Sequence, residues 1–372
     1  MRTVLGLFGL ALGVRVLLIL LYPDPAYVDS YYYVSVARSL AAGHGFSINY
    51  IWTFVDVGGH LPADPMLPIP SNAHWMPLAS IVQVPFIVIL GASAFASALP
   101  FALIGALAAP MTWAFAREAG CRPSVALGGA LLAAIPAGVT PFMAQPDNFA
   151  LFEVLVLGAL WLGARGLRGD AWSFAATGVL VGLATLARND GVLVGAALGI
   201  VWIWSRVRFR RATRAGVDAP RPLPVWAAIV AGGLFVAVMA PWELRQLAVF
   251  GSLSPSSATG RILFIQSIDQ MNSITGTPTL ATLLSQGIGP LIESRVTGLF
   301  EAIVIFTVLV GGVLLTPFIV AGAWLRRHSP DFLPFLLYAG LLFAFSAIVS
   351  AVHVPNGTFI HSGAALAPQS YL

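Results

Sequence analysis

The sequence contains no lysine, a single cysteine and few charged side chains of any kind. Only 9% of its 372 residues are charged, whereas about 25% is usual for a soluble globular domain. Hydrophobic residues make up 58% of the chain, and the mean hydropathy is +0.87. These proportions exclude an ordinary soluble domain and indicate a protein embedded in a lipid bilayer.

The hydrophobic residues form long, continuous runs. Backbone polar groups in lipid must bond within a helix or a closed barrel, and barrel strands give short alternating segments instead. We therefore expect an all-α, polytopic integral membrane protein in which residues 1–372 form one membrane domain. The first run, Val4–Tyr22, is long enough to cross the hydrocarbon and is predicted to be an uncleaved span.

The lone Cys121 excludes a disulfide within the chain and any cysteine-based metal cluster. All 19 basic residues are arginines, and the formal net charge is +4. Five of the arginines lie close together in the loop 205–224. In a hydrophobic chain this pattern is typical of a cytoplasmic, positive-inside loop rather than of a nucleic-acid-binding surface.

The arginine-rich links predict the orientation of the chain. With Arg2 inside, the N-terminus is cytoplasmic and the long polar segment 23–76 lies outside. If the loop 205–224 is also cytoplasmic, the segment 241–298 lies outside too. Counting spans backwards from the loop 205–224 also places Asp147 outside. The apolar runs between the first loop and Asp147 then number one too many for both segments to lie on the same face. One of the apolar runs between residues 77 and 139 is therefore expected not to cross fully.

The last residues leave two alternatives. Residues 353–367 are expected to emerge on the outer side, and the chain then stops where another span would begin. The sequence is either a fragment or a chain with a reduced C-terminal part.

Two charged residues lie inside apolar runs. Arg15 is expected to pair with a neighbouring helix or to snorkel, and the functional alternative is that it helps to hold an anionic lipid headgroup. Glu153 is expected to pair with an arginine.

The first outer loop, Pro23–Met76, is the most informative stretch. Its residues Asp29–Ala42 have the apolar spacing of a short amphipathic helix, with Asp29 at or near the N-cap. We expect this helix to lie in the membrane interface, with its tyrosines at headgroup depth.

Short motifs in this loop carry a family resemblance. The run Asp29-Ser-Tyr-Tyr-Tyr33 opens the helix, and Pro77-Leu78 starts the next apolar run. In this layout the chain resembles the GT-C membrane glycosyltransferases, and most of all the protein O-mannosyltransferases and aminoarabinose transferases. Further likenesses are Pro146-Asp147, Arg188-Asn-Asp-Gly191 and Pro241-Trp-x-x-Arg245, followed by Phe250-Gly251.

The chain departs from that family at two places. Ser30 replaces the second acid of the opening motif, and Trp75 or Met76 stands where relatives have a lysine. The contact with a donor phosphate must then come from other residues, for which Arg188 and Arg245 are the candidates.

The resemblance implies an inverting glycosyltransferase that moves a sugar from a polyprenyl-phosphate donor to a hydroxyl acceptor. A hydroxyl acceptor needs a carboxylate base, and a phosphate leaving group needs cationic contacts. We assign the base to Asp29, whose alternative role is only to cap its helix. Substrate binding is assigned to five further residues: Asp147, Arg188, Arg245, His74 and Tyr33.

The predicted partners are a lipid-linked sugar, an acceptor of unspecified type and membrane lipids, with no nucleic acid. No cofactor is expected besides the lipid-linked co-substrate, and no metal centre. His353 and His361 alone are weak evidence for a metal. Trp52, Trp75 and the tyrosines 31–33 either stack on sugar or form an aromatic belt, and the belt is favoured.

The predicted location is the plasma membrane, with the active site on the extracytoplasmic side. Two other functions stay open: a polytopic lipid or solute transporter or flippase, and a non-catalytic assembly subunit. The absence of an evident internal repeat argues against the transporter.

Overall fold

The structure is a computed structural model, and it describes residues 1–26, 28–52, 56–59, 61, 63–64, 66–218, 221–265, 270, 278–349 and 358–372. Within these residues nearly all regular structure is helical. The exception is a two-stranded antiparallel sheet in the first loop, in which β1 (Ser47–Ile48) pairs with β2 (Ile69–Pro70). The predicted all-α class is confirmed.

Five helices are long and apolar enough to cross a membrane: Arg2–Leu21, Ala94–Glu118, Phe149–Leu167, Asn189–Arg214 and Val225–Phe250. Each has at least 19 residues, which at 1.5 Å per residue approaches or exceeds the thickness of the hydrocarbon core. A sixth candidate is the pair Pro123–Ala134 and Gly138–Ala144, which is bent by 60°. The chain is therefore a polytopic membrane protein.

Helices are numbered here in chain order. The α-helices that form or flank the functional region are α1 (Arg2–Leu21), α2 (Val28–Ala41), α3 (Leu78–Ile81), α4 (Val84–Leu90), α5 (Ala94–Gly105), α6 (Ala108–Glu118), α7 (Pro123–Ala134), α8 (Phe149–Leu167), α9 (Ala171–Ala187), α10 (Val192–Arg214) and α11 (Val225–Phe250). The rest are α12 (Leu280–Leu284), α13 (Ile288–Ile305), α14 (Thr316–Arg326), α15 (Leu333–Ala344), α16 (Thr358–Ala364) and α17 (Ala367–Ser370). Short 3₁₀ or π segments occupy Ala137–Ala144, Asn189–Gly191, Thr259–Phe264, Phe306–Val310 and Phe345–Val349.

The helix in the first loop is more deeply packed than the sequence predicted. Tyr32 and Tyr33 are buried, whereas Tyr31 is 53% exposed. Helix α2 packs against β1, α3 and α4, so two of its tyrosines face protein and not lipid headgroups. The prediction of an interfacial tyrosine belt is therefore wrong for Tyr32 and Tyr33, because the loop folds back over α2.

The first apolar run after the loop is broken into short helices. Residues 78–90 form the two short helices α3 and α4, which pack against α2 in the loop. Two candidate spans, Ala94–Glu118 and the one that begins at Pro123, then lie between the first loop and Asp147. If each of these crosses once, the chain returns to its starting face before Asp147, as the predicted orientation requires.

Close helix packing positions the end of α9. A Cβ atom at Gly178 would lie 1.9 Å from the carbonyl oxygen of Ala231, and one at Gly182 would lie 2.8 Å from the Val238 side chain. Glycines spaced by four residues therefore let the backbones of α9 and α11 approach, as is common between membrane helices. This contact fixes the level at which α9 ends and the next turn begins.

The C-terminal segment enters the bundle. The side chains described between Phe359 and Tyr371 are all buried, and Leu372 packs beside Gly129 of α7. The described part of the segment that was predicted to emerge, 358–367, is thus covered by protein, and its place on the outer side stays a prediction. The small side chains of Gly363-Ala-Ala-Leu-Ala367 allow this close packing.

Candidate active site

Two carboxylates from distant parts of the sequence meet at the start of two helices. Asp29 lies in the first turn of α2, and Asp147 lies just before α8. Asp147 is fully buried and accepts hydrogen bonds from the Ser30 hydroxyl at 3.1 Å and from the backbone N–H of Asn148. The side chain of Asp29 retains 17% of its exposure, so it is the carboxylate that a second molecule can reach.

His361 on α16 joins the two carboxylates. Its Nε2 atom lies 3.7 Å from Asp29 Oδ2 and 3.9 Å from Asp147 Oδ1. Its ring stacks on Phe149, with 4.3 Å between the ring centres. The three side chains offer ligand atoms within 4.8 Å of one another, and we call Asp29, Asp147 and His361 the carboxylate–histidine group.

Arg188 supplies a positive charge beside this group. It is the residue after α9, in an extended conformation, and its Nε–H donates to Asp190 Oδ1 and to Ser362 Oγ, each at 3.0 Å. The Ser362 hydroxyl in turn donates to the other oxygen of Asp190. The positive charge of Arg188 is close enough to lower the pKa of the Asp29 and Asp147 carboxyl groups.

Burial dominates the electrostatics of the two carboxyl groups. Removal from water raises the pKa of Asp29 above its usual value, although Arg188 opposes this. Burial also raises the pKa of Asp147, and the negative charge of Asp29 raises it further. Asp190, Tyr33 and Asp147 together hold the pKa of Arg188 above its ordinary value despite its burial, which acts the other way. Two carboxyl groups that take up protons easily thus lie beside Arg188, which stays positively charged.

Tyr33 and His74 line the same region. The Tyr33 hydroxyl accepts a hydrogen bond from Asn148 Nδ2 at 3.0 Å, and burial raises its pKa well above the usual value. The His74 carbonyl accepts from Asn189 Nδ2 at 2.9 Å, which ties the end of the first loop to the turn after Arg188. Burial, with Arg188 as the second cause, lowers the pKa of His74 to about 4, so its imidazole is neutral near pH 7.

Arg245, the other arginine proposed to bind phosphate, makes contacts of a different kind. One of its amino groups donates to the carbonyl of Ser71 at 2.8 Å. Its guanidinium lies 5.0–5.2 Å from the ring centres of Phe46, Trp242 and Phe250. These contacts support the sheet of the first loop, and none of them involves the carboxylate–histidine group. Its role in binding stays a prediction.

The structure adds three residues to those proposed from the sequence. His361 was considered only together with His353, which lies outside the described residues. Ser362 carries no sequence signal, because a serine in an apolar segment is ordinary. Ser30 is the serine that replaces the family's second acid, and its hydroxyl donates to Asp147.

The carboxylate–histidine group suits a divalent cation in its donor types and spacing. Carboxylate oxygens and an imidazole nitrogen are common ligands of zinc, manganese and iron. The neighbouring guanidinium of Arg188 opposes a further positive charge at the same place. The prediction that no metal centre exists therefore stays a prediction, and metal binding is a direct test of it.

Solved structures of two membrane enzymes have a similar fold. ArnT from Cupriavidus metallidurans bound to undecaprenyl phosphate superposes with a TM-score of 0.62 at 15% identity, covering 99% of this chain and 59% of that one. The Archaeoglobus fulgidus oligosaccharyltransferase in complex with zinc and sulfate gives a TM-score of 0.57 at 15% identity, covering 98% of this chain and 48% of that one. The same enzyme tethered to an acceptor peptide containing the NVT sequon gives 0.57 at 16% identity, covering 99% and 49%.

The chain therefore shares the fold of these two polytopic membrane enzymes. In sequence, residues 74–217 match the family described as dolichyl-phosphate-mannose-protein mannosyltransferase. Both findings confirm the resemblance predicted from the motifs. No curated protein matches the chain, and the chain spans about half of the length of the oligosaccharyltransferase structures.

Proposed function

We propose that this protein is an inverting glycosyltransferase that moves a sugar from a polyprenyl-phosphate donor to a hydroxyl acceptor. One observation carries the proposal: a reachable carboxylate, Asp29, lies in the same polar group as the buried Asp147 and beside the cation Arg188. A base and a phosphate contact must act on one bound sugar, so they have to lie together.

Asp29 is the general base in this proposal. It takes the proton of the acceptor hydroxyl while the acceptor oxygen forms a bond to the anomeric carbon. The bond from that carbon to the phosphate oxygen breaks on the opposite side, and polyprenyl phosphate leaves with the electron pair. Asp147 holds the base in place through their shared contact with His361, and Ser30 orients Asp147.

Arg188 is the contact for the leaving phosphate. Negative charge develops on the phosphate as the bond breaks, and a fixed guanidinium stabilises it. Tyr33 and the neutral His74 lie close enough to contact the sugar. A divalent cation held by Asp29, Asp147 and His361 would supply additional stabilisation of the phosphate charge.

The proposed location is the plasma membrane, with the N-terminus in the cytoplasm and the site outside. The support is the charge distribution: five arginines lie between residues 206 and 214 at the end of α10. Arginines near span ends favour the cytoplasmic side. The carboxylate–histidine group lies at the other end of the spans, next to α2 of the first loop.

The test is Asp29→Asn, which keeps the shape of the side chain and removes its basicity. Transfer of sugar from the lipid-linked donor in membrane vesicles is expected to fall by about 100-fold or more, the order attributed to a general base. Binding of the donor lipid should persist, because Arg188 is unchanged. Full transfer by the variant would refute the assignment.

The matched control is Asp24→Asn in the same loop. Asp24 is exposed, and its substitution should leave transfer unchanged. A protein that moves its lipid across liposome membranes without any transfer of sugar would instead support the transporter alternative.

A further inference from the structure

Three side chains from two distant segments form a closed hydrogen-bonded triangle. The Nε–H of Arg188 is shared between Asp190 Oδ1 and Ser362 Oγ, each at 3.0 Å. The Ser362 hydroxyl donates to Asp190 Oδ2. Each of the three side chains therefore bonds to the other two, and we call this set the arginine triangle.

The triangle uses only one of the nitrogens of Arg188. In the part of the chain that the structure describes, neither terminal amino group of Arg188 has a hydrogen-bond partner. The Arg188 side chain keeps 10% of its exposure, so a second molecule can approach it. A guanidinium held at Nε presents its two amino groups as a flat pair of donors, the geometry that binds two oxygens of one phosphate.

The local backbone is built to bring Asp190 under the arginine. Arg188 is extended, and the 3₁₀ turn Asn189–Gly191 follows directly. A Cβ atom at Gly191 would lie 2.5 Å from the carbonyl carbon of Ala184, so only glycine lets the turn pack this closely on α9. The turn thereby places two charged residues, two positions apart, on the same side.

Ser362 comes from a different part of the chain. It lies on α16 next to His361, and it is fully buried. A single short helix thus contacts both halves of the site, the carboxylates through His361 and the arginine through Ser362.

We infer that Ser362 is a positioning residue that, with Asp190, orients Arg188 for bidentate binding of the donor phosphate. The inference rests on the proposed function, because it requires Arg188 to contact that phosphate. Without the Ser362 hydroxyl, Asp190 has one donor fewer, and its freed oxygen competes with the ligand for the terminal amino groups of Arg188.

The test measures binding of undecaprenyl phosphate and of undecaprenol, which lacks the phosphate, to the purified full-length protein. Ser362→Ala should weaken binding of the phosphate about tenfold, the loss typical of one hydrogen bond to a charged group. Binding of the alcohol should not change. Ser362→Thr keeps the hydroxyl and should restore most of the phosphate affinity.

The control variant is Ser370→Ala in the same buried segment. The Ser370 hydroxyl has no hydrogen-bond partner in the described structure, so its removal should leave both affinities unchanged. Thermal melting of each variant shows whether it is folded. A fold-neutral Ser362→Ala that binds both lipids like the unaltered protein would overturn the inference.

A double-mutant cycle separates this inference from the proposed function. In an Arg188→Ala background, Ser362→Ala should have no further effect on phosphate binding, because its action passes through the arginine. Additive losses would show a purely structural role and overturn the inference. If Arg188→Ala alone binds the phosphate normally, the phosphate contact in the proposed function fails as well.

Discussion

Two groups of buried charges in this protein contain the same kinds of residue but have different surroundings. The first is the carboxylate–histidine group with Arg188, which lies under the first loop. The second is Arg15 on α1 and Glu153 on α8, both of them fully buried. In the first group Asp147 accepts bonds from Ser30 and Asn148, and Arg188 is held through Nε, while the side chains of Asp29 and Arg188 keep access to a second molecule.

Arg15 and Glu153, which we call the inner pair, are closed off from solvent and have few hydrogen bonds in the described structure. One amino group of Arg15 donates to the carbonyls of Ala11 and Ala134, while its Nε and other amino group have no partner in the described structure. Both carboxylate oxygens of Glu153 also lack hydrogen-bond partners there. The predicted pairing of Arg15 with a neighbouring helix occurs through the backbone of α7. Burial of a charge is thus not sufficient to mark a site, and access to the charge has to accompany it.

The largest contrast is expected between Asp147→Asn and Glu153→Gln. Asp147→Asn removes a negative charge next to the proposed base and weakens the bond from Ser30, so transfer should fall about 10- to 100-fold. Glu153→Gln, on the helix that follows Asp147, serves as the control. Rates of sugar transfer in vesicles check this prediction. Equal losses in both variants would erase the distinction between the two groups.

The pH dependence of sugar transfer should be determined by the carboxylate–histidine group and not by the inner pair. A general base acts when ionised, and burial raises the pKa of Asp29, so transfer should fall as the pH decreases. This loss should set in at a higher pH than for an ordinary aspartate, whose pKa is about 3.9. A loss of transfer that sets in only near the pKa of an ordinary aspartate would contradict the assignment of the base to the buried Asp29.

Removal of metal ions is expected to have a smaller effect. Arg188 already supplies a positive charge beside the carboxylates, so transfer should change less than about twofold after treatment with EDTA. The measurement compares vesicles before and after chelation, followed by addition of Mn²⁺, Mg²⁺ or Zn²⁺. If transfer is abolished and one of these ions restores it, the carboxylate–histidine group is a metal centre. A His361→Ala variant that no longer responds to the ion would confirm the location.

The smallest effect is expected for Glu153→Gln alone. Its carboxylate has no hydrogen bond to lose in the described structure, and the substitution preserves its shape. Transfer should stay within about twofold of the unaltered protein, the size expected for a substitution remote from the chemistry. Kinetics of the purified protein give the value. A large loss would connect the inner pair to the reaction and require a path between the two groups.

The sequence predicts much of the fold because hydrophobic runs determine the spans, and the match to solved structures confirms this class. It also predicts that Asp29, Asp147 and Arg188 belong to one face, because span parity places them there. The sequence does not reveal His361 and Ser362 as neighbours of these residues, since that contact depends on a segment that returns into the bundle. The sequence also does not reveal that residues 358–367 are buried, where small side chains allow packing between helices.

The tyrosines of α2 show a second limit. Their spacing is equally consistent with a helix lying on the membrane and with one covered by its own loop. The difference depends on Asp56, whose carboxylate accepts a bond from Tyr32 at 2.9 Å, and on Asn72, whose N–H donates to the same tyrosine. These contacts are formed by tertiary structure, and no local pattern specifies them.

The placement of α16 has a consequence for biosynthesis. Asp29, in the first loop, is made early in translation, whereas His361 and Ser362 are added only after the five candidate spans described above. The proposed active site therefore does not exist in a partly synthesised chain, whichever way that chain has inserted. A nascent protein can bind neither donor nor acceptor in the complete site until the ribosome has passed residue 362. Stalled or clipped products that lack α16 would lose the contacts of His361 and Ser362 with the site, and we expect them to transfer sugar poorly.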